Sequence, residues 1–507
     1  MGSGDILIRG VNWVGDAVMT MPAIRALRAA MPGFRTTLLV KPWVAGIFEK
    51  DPNIDEVKLY GEEWKGINGK LALALALRRR DFRKAILFQN AFDAALLSAL
   101  AGIPERIGYG RDGRGFLLTT AVPFHGEDRQ MHHSRYYLNL LEKAGIIKNK
   151  EYSAEPWIYL ELEERLKARS SISGLRRPVI GLNPGAAFGP TKRWPHSRFR
   201  ELASMITGGL GGTVLVFGSE KEKSGADEIA CGIEGAVSMA GETTLRELAA
   251  FLSECDALVS NDSGTMHVGY AVGTPVVALF GSTAPSLTGP PAGNSVIKED
   301  IPCAPCFKRE CGVAGMPCMD KIATVQVFDE LKNILPVQRA VFFDRDGTLC
   351  RNANYLSRWE DFEPFGDGLQ ELPKLRQAGF KLIGITNQSG IARGLVREEF
   401  VQDMGAYFTR EHGFDAFYHC PHHPDDHCSC RKPSPGMLFR ARREMGINLR
   451  DSYIIGDSAA DVLAARAAGA KSILIQTVPG ETAESPDYLA RSLKEAINYI
   501  LESEKAR

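Results

Sequence analysis

The sequence predicts an α/β protein made of three doubly wound units, each with a mostly parallel sheet. Short apolar, β-branched runs alternate with helical patterns along the whole chain, the signature of strand–helix–strand repeats. At 507 residues the chain is too long for a single hydrophobic core. Several of the runs end in loops rich in glycine, asparagine and aspartate, where parallel sheets place their ligands.

Asp5–Arg9 reads as the first strand, followed by a loop holding Gly15 and Asp16 and a helix around Met21–Ala30. Thr36–Val40 and Ala85–Gln89 extend the same sheet. Around Ser170–Pro178 the chain turns polar and basic, and Val179-Ile-Gly-Leu182 opens a second series with Thr213–Phe217, Ala257–Ser260 and Val276–Phe280. A break at Leu335-Pro-Val-Gln338 precedes a third series: Ala340–Phe343, Lys381–Thr386, Tyr453–Ile455 and Ser472–Ile475. The expected domains are therefore 1–174, 175–335 and 339–500. No fixed-period repeat is visible.

Hydrophobic residues make up 44% and charged residues 24%, ordinary for a soluble globular protein. With 61 basic and 61 acidic side chains, global charge does not favour nucleic acid as a partner. The apolar run Leu71-Ala-Leu-Ala-Leu-Ala-Leu77 falls short of the roughly 18–20 residues needed to span a bilayer. The start of the chain lacks a charged-then-apolar signal region, so a cytoplasmic location is expected. Seven of the ten cysteines fall in two clusters, which in that compartment points to metal or redox chemistry before disulfides.

The most informative stretch is Ala340-Val-Phe-Phe-Asp-Arg-Asp-Gly-Thr-Leu349. A buried strand delivers Asp344 and Asp346 two positions apart, so alternation aims both into one space. Crowded acids need a cation, or one must hold a proton. That suits covalent phosphoryl transfer, with one carboxylate as nucleophile, one as acid/base and a metal between them. Thr386 then offers a hydroxyl to a phosphate oxygen, with Asn387, Gln388 and Ser389 in the turn beyond. Lys432, beside Arg431, can neutralise the transferring group. Asp457 ends another strand and, with Asp461 four residues on, can complete a Mg²⁺ site of oxygen ligands. A single strand-end aspartate is often only a helix cap; four such pieces in order are not explained that way.

This order resembles the haloacid dehalogenase (HAD) superfamily of phosphohydrolases over residues 339–500. The resemblance implies Asp344 as nucleophile, Asp346 as general acid/base, and Thr386 and Lys432 as holders of the phosphoryl group. It also implies Mg²⁺ on Asp344, the Asp346 carbonyl and Asp457. Within this region Cys420-Pro-His422 and Cys428-Ser-Cys430 supply three thiolates and an imidazole, a complete tetrahedral zinc set of the closed, structural kind. His423 and His427 lie in the same loop as alternatives to His422. The loop resembles those of heptose 1,7-bisphosphate 7-phosphatases and histidinol-phosphate phosphatases, with Cys-Pro-His-His-Pro closer to the former.

In the first two-thirds three segments carry chemistry: Arg9 to Arg25 with Val14-Gly15-Asp16, Asn183-Pro-Gly185 to Trp194 with Lys192 and Arg193, and Asn261-Asp-Ser-Gly-Thr-Met-His267. Glycine and hydroxyl turns at helix N-termini are ready anion sites, and with a cationic pair they suit a diphosphate. The bland readings are a capping Asp16, a solvated Lys192/Arg193 pair and a structural His267. Together these segments resemble the ADP-heptose:lipopolysaccharide heptosyltransferases, heptosyltransferase II in particular, over residues 1–335. The resemblance implies a GT-B fold of two Rossmann-like domains and an inverting, metal-independent displacement. It implies Asp16 as base on the acceptor hydroxyl and Lys192 on the leaving diphosphate. Asp262, Ser263, Gly264, Thr265 and His267 would line the donor site, with Glu220 as a nucleotide contact.

The fusion favours the heptose bisphosphate over histidinol phosphate, and gives as partners ADP-heptose, heptose 1,7-bisphosphate and a lipid-anchored lipopolysaccharide inner-core acceptor. Peripheral membrane contact through Arg106, Arg111 and Arg114 is a further expectation. Two other readings stay open: a phosphatase for another small phosphoester, and a first half that binds sugar nucleotide or glycolipid without turnover. Four cysteines, Cys303, Cys306, Cys311 and Cys318, suit zinc or an iron–sulfur cluster by count but match no metal motif by spacing, so bound metal and reduced structural thiols both stay open.

Overall fold

The structure, a computed structural model, describes residues 4–148, 152–476 and 484–505. The chain divides into two compact units, Met1–Ile334 and Leu335–Arg507. The first holds two parallel six-stranded sheets. One is built from β1 Gly4–Arg9, β2 Phe34–Val40, β3 Glu56–Leu59, β4 Phe82–Leu87, β5 Glu105–Tyr109 and β6 Thr120–Val122. The other contains β7 Val179–Asn183, β8 Thr213–Val216, β9 Ala236–Ser238, β10 Ala257–Asn261, β11 Val276–Phe280 and β12 Ser295–Lys298. The second unit forms a third parallel sheet from β13 Arg339–Phe343, β14 Phe380–Asn387, β15 Ala416–Cys420, β16 Tyr453–Gly456, β17 Lys471–Ile475 and β18 Tyr488–Ala490.

All three sheets share one strand order. They run β3-β2-β1-β4-β5-β6, β12-β11-β10-β7-β8-β9 and β15-β14-β13-β16-β17-β18. Each winds one way from its first strand and then the other way from its fourth, leaving a crevice at the carboxyl ends of that pair. The crevices lie at β1/β4, β7/β10 and β13/β16, where the informative loops of the sequence emerge. The strands anticipated from apolar runs are the buried middle ones, such as Val276–Phe280, buried throughout. Edge strands such as β3 and β9 are short and half-exposed, and their residues carry no apolar run.

One correction bears on the transferase loop. The first helix begins at Val14, not near Met21, so Gly15 and Asp16 lie in its first turn rather than in a preceding loop. Within the first unit that helix packs on both the His133–Lys143 and Gly264–Ala271 helices. One apolar core therefore runs through both sheets, from Ile8 and Met21 to Val268 and Phe280. The Leu162–Ser171 helix packs against Leu245–Glu254 of the second lobe. Arg246 braces the lobes, donating to Glu164, the Glu49 carbonyl and the Tyr159 carbonyl at 2.5–2.8 Å. In the second unit Val341, Phe343 and Ile455 pack beneath Met404, Phe408 and Ile497 from the covering helices.

Candidate active sites

In the second unit Asp344 follows β13 and its N–H donates to the Ile455 carbonyl at 2.9 Å, so the switch point fixes its backbone. Its Oδ1 accepts from the Arg345 N–H at 2.8 Å and lies 2.9 Å from Lys432 Nζ. Lys432 is buried and donates also to Asp461 at 2.6 Å and to the Ile385 carbonyl at 3.1 Å. Burial pushes the Asp344 carboxyl up to about 7, with Lys432 opposing and Asp461 reinforcing. Burial would lower Lys432, but Asp344 and Asp461 outweigh it and raise its pKa.

Asp346 is arranged differently from the picture of two acids sharing one cation. Its carboxylate turns to the buried guanidinium of its neighbour Arg345, at 2.9–3.1 Å, and accepts from Gln388 Nε2 at 2.8 Å. The chain thus carries its own counter-ions, Arg345 for Asp346 and Lys432 for Asp344. Carboxylate oxygens of Asp344, Asp457 and Asp461 come within 4.8 Å of one another, an oxygen donor set suited to Mg²⁺. Gly347, at φ +81°, admits Asp457: a Cβ there would stand 1.8 Å from its Oδ2.

Around the acids, Thr386 is buried and its hydroxyl accepts from Gln388 at 2.8 Å. Asn387 brackets the Lys432 backbone, accepting from its N–H and donating to its carbonyl. Ser389 begins the short Ser389–Ala392 helix. Arg431 has a buried Nη1 without a partner among the described residues, as a cation awaiting an anion would.

Cys420, at the end of β15, meets His422, Cys428 and Cys430. The Cys420–Cys428 and Cys428–Cys430 sulfurs are 3.4 and 3.5 Å apart. His422 Nδ1 stands 3.6 Å from Cys420 and 3.2 Å from Cys430. Tetrahedral zinc bonds to sulfur and nitrogen imply edges of about 3.5–3.8 Å, so donor chemistry and spacing both fit zinc. His423 is otherwise engaged: its Nδ1 accepts from Asp425 N–H and caps a turn. Among the described residues Cys303, Cys306, Cys311 and Cys318 form no such group.

In the first unit Asp16 sits in the first turn of the Val14–Ala30 helix, where the positive end of the helix dipole favours its charge. The N-terminus of the Gly264–Ala271 helix meets that turn. A Cβ on Gly264 would lie 2.8 Å from Val14 Cβ, and one on Gly15 would lie 2.6 Å from the His267 ring. His267 is buried, pushed down to about 4 by desolvation, and bonds Tyr270 Oη through Nδ1 at 2.7 Å. It is a neutral wedge between the lobes. Gly15→Ala is expected to lower ADP-heptose-dependent transfer about 10- to 100-fold, because the added methyl must displace His267. Steady-state ADP release measures it, with unchanged phosphate release as the internal control.

Lys192 is no solvated surface cation. Its Nζ lies 2.5 Å from buried Asp262, which also accepts from Thr283 at 2.6 Å. Arg193 points instead to the Ala186 carbonyl. Asn183 donates to Ser263 Oγ at 3.0 Å, and Asn261 accepts from the N–H of fully buried Trp194 at 3.1 Å. These bonds stitch the Asn183–Trp194 loop to the Asn261–His267 loop. Thr265 follows Gly264 in the first turn of that helix.

Glu220 stands beside Gly241, where a Cβ would approach its carboxylate to 2.0 Å. It is Glu222 that reaches the Asn183–Trp194 loop, against Gly185. Its capping-box pairing with Ser219 was the signal available in sequence. Of the three arginines expected at a membrane, the structure takes Arg114 out of reach. Arg114 is buried, donating to Tyr109 and Asn90, and Arg106 donates to the Ile103 and Leu117 carbonyls. Arg111 lies over the Phe124 ring. Among the described residues no helix is long and apolar enough to cross a membrane.

A two-lobed cleft of this kind, followed by a sheet ending in Asp344-Arg-Asp346, defines a GT-B glycosyltransferase joined to a HAD-type phosphohydrolase. Residues 70–316 match the family described as glycosyltransferase family 9 (heptosyltransferase), and residues 429–496 match a HAD-hydrolase-like family. Lipopolysaccharide heptosyltransferase 2 of Escherichia coli K12 is 33% identical over 298 residues, 56% of this chain and 85% of that protein. D-glycero-beta-D-manno-heptose-1,7-bisphosphate 7-phosphatase of Haemophilus ducreyi is 36% identical over 180 residues, 32% of this chain and 98% of that protein. The solved E. coli ADP-heptose LPS heptosyltransferase II superimposes with a TM-score of 0.55 at 29% identity, over 65% of this chain and 98% of its own. The chain belongs to the family 9 heptosyltransferases in its first unit and to the heptose bisphosphate phosphatases of the HAD superfamily in its second.

Proposed function

We propose that the chain is a bifunctional heptose enzyme of lipopolysaccharide core synthesis. Its first unit transfers heptose from ADP-L-glycero-D-manno-heptose to the inner core, and its second hydrolyses the 7-phosphate of D-glycero-D-manno-heptose 1,7-bisphosphate. The observation that carries the reading is two intact switch-point sites on one chain, each with heptose-specific relatives.

In the phosphatase an Asp344 oxygen attacks phosphorus, the bond to the sugar oxygen breaks, and Asp346 gives that oxygen a proton. Water then attacks the aspartyl-phosphate, giving its proton back to Asp346 and freeing phosphate and Asp344. Thr386, Lys432 and the unpartnered Nη1 of Arg431 hold the phosphoryl oxygens, while Asn387, Gln388 and Ser389 shape the turn around the sugar. Asp344, the Asp346 carbonyl and Asp457 would hold Mg²⁺, whose bound charge offsets that of the phosphoryl group. Cys420, His422, Cys428 and Cys430 would hold zinc, pinning the end of β15 to the segment that carries Lys432. Cys428→Ser is expected to lose one equivalent of zinc and several degrees of thermal stability. Elemental analysis beside a melting curve checks this.

In the transferase Asp16 takes the proton of the acceptor hydroxyl as its oxygen attacks the anomeric carbon, and the bond to the ADP oxygen breaks on the opposite face. Lys192 and the N–H groups at Ser263, Gly264 and Thr265 face the departing diphosphate, with Asp262 and His267 holding that surface in place. Glu220 and Glu222 are the acids on the nucleotide side. A cavity of about 360 Å³ at the carboxyl edge of the first sheet is lined by Arg9, Lys41, Lys65 and Lys70 with Tyr60 and Asp93, a chemistry suited to an anionic acceptor. The reading places the protein in the cytoplasm, touching the inner membrane where its lipid-anchored acceptor lies.

The test is turnover by the intact chain. Phosphate release from heptose 1,7-bisphosphate should exceed that from histidinol phosphate by orders of magnitude, and ADP release should require a heptose-acceptor lipopolysaccharide. Preference for histidinol phosphate would sink the phosphatase assignment. Donor binding without ADP release would make the first unit a binding module.

A further inference from the structure

Asp16 does not stand alone in the cleft. Its Oδ1 lies 3.4 Å from Nδ1 of His133, the first residue of the His133–Lys143 helix, and both side chains are part-exposed. The neighbouring His132 determines how that helix begins. Its Nδ1 accepts the Ser134 N–H at 3.3 Å, so its own proton is on Nε2, which donates to the Gly289 carbonyl at 3.0 Å. Burial lowers the pKa of His132, favouring this neutral form. Gly289 belongs to the second lobe, so the bond ties the start of the helix, and His133 with it, to the lobe that carries the donor loops.

The remaining groups around the pair have other partners. The Tyr136 ring lies 6.3 Å from the His133 ring and its hydroxyl accepts from Asn90. Tyr137 is buried, and the charge of Asp16 reaches both it and His267. His267 is held by Tyr270, and Lys192 is paired with Asp262. That leaves His133 to face Asp16 in the cleft.

We propose that His133 is the positioning partner of Asp16 in the transfer reaction, a role that rests on Asp16 being the base. The Nδ1–H of neutral His133 holds Oδ1 and leaves Oδ2 to take the acceptor hydroxyl proton while the new glycosidic bond forms and ADP leaves. The hydrogen bond fixes the carboxylate in one orientation toward the acceptor.

The experiment uses the full chain carrying His133→Ala or His133→Asn, the latter keeping an N–H donor at the same position. ADP release is followed beside calorimetric binding of ADP-heptose. His133→Ala should lower kcat about 10- to 100-fold, the scale of a lost charge-assisted hydrogen bond, with donor affinity unchanged. His133→Asn should recover most of kcat. No recovery in His133→Asn, or wild-type kcat in His133→Ala, overturns the proposal and leaves His133 a structural residue. Transfer that survives in Asp16→Ala removes the base assignment, and the proposal falls with it; loss in Asp16→Ala with no effect at His133 overturns this proposal alone.

Discussion

Asp344→Asn is expected to stop phosphate release, by on the order of 10⁵- to 10⁶-fold as loss of an enzyme nucleophile does, while ADP release continues at the wild-type rate. The amide keeps the shape of the carboxylate but cannot attack phosphorus. No neighbour substitutes for it: Asp346 is held by Arg345 and Gln388, and Asp461 by Lys432 and Ser458. The fold should survive, since the Asp344 carboxyl is already pushed up to about 7 by burial and a neutral side chain relieves that cost. Lys432 retains Asp461 and the Ile385 carbonyl. A melting temperature near wild type with no phosphate release supports the assignment. Residual turnover above a thousandth of wild type removes Asp344 from the role.

Asp16→Ala should cost the transferase about 10²- to 10⁴-fold in kcat, the usual contribution of a general base. Affinity for ADP-heptose should hardly move, because the loops around Lys192 and Asp262 are stitched together by Asn183, Asn261 and Thr283 without help from Asp16. Alanine is a better helix former than aspartate, so the first turn persists, although it loses the charge that complements the dipole. Single-turnover ADP release with calorimetric donor binding separates the two effects. Transfer at an undiminished rate would mean that another group takes the proton.

The alternation of strand and helix, the three units and the strand-end loops are legible in the chain because buried parallel strands demand continuous apolar runs. Val341–Phe343, Val276–Phe280 and Ile6–Ile8 announce themselves that way. So do local constellations: Asp344 and Asp346 are two residues apart, and the four Cys/His donors lie within an eleven-residue loop. Edge strands β3, β9 and β18 stay hidden because half-exposed residues need not be apolar.

What tertiary structure decided is which distant groups meet. His133 is 117 positions from Asp16, and only the packing of their two helices brings the rings and carboxylate together. Gly15 looks like a loop glycine until His267 from the other lobe is set against it. Arg114 looks like a surface cation until its guanidinium is found buried on Tyr109 and Asn90. Asp346 looks crowded against Asp344 along the chain until Arg345 is found to hold its carboxylate. The sheets and the reactive residues at their ends are readable along the chain, because burial and chain-local spacing act over a few positions. Partner choice and charge state needed the fold, because electrostatic and steric contacts depend on distance in space rather than along the chain.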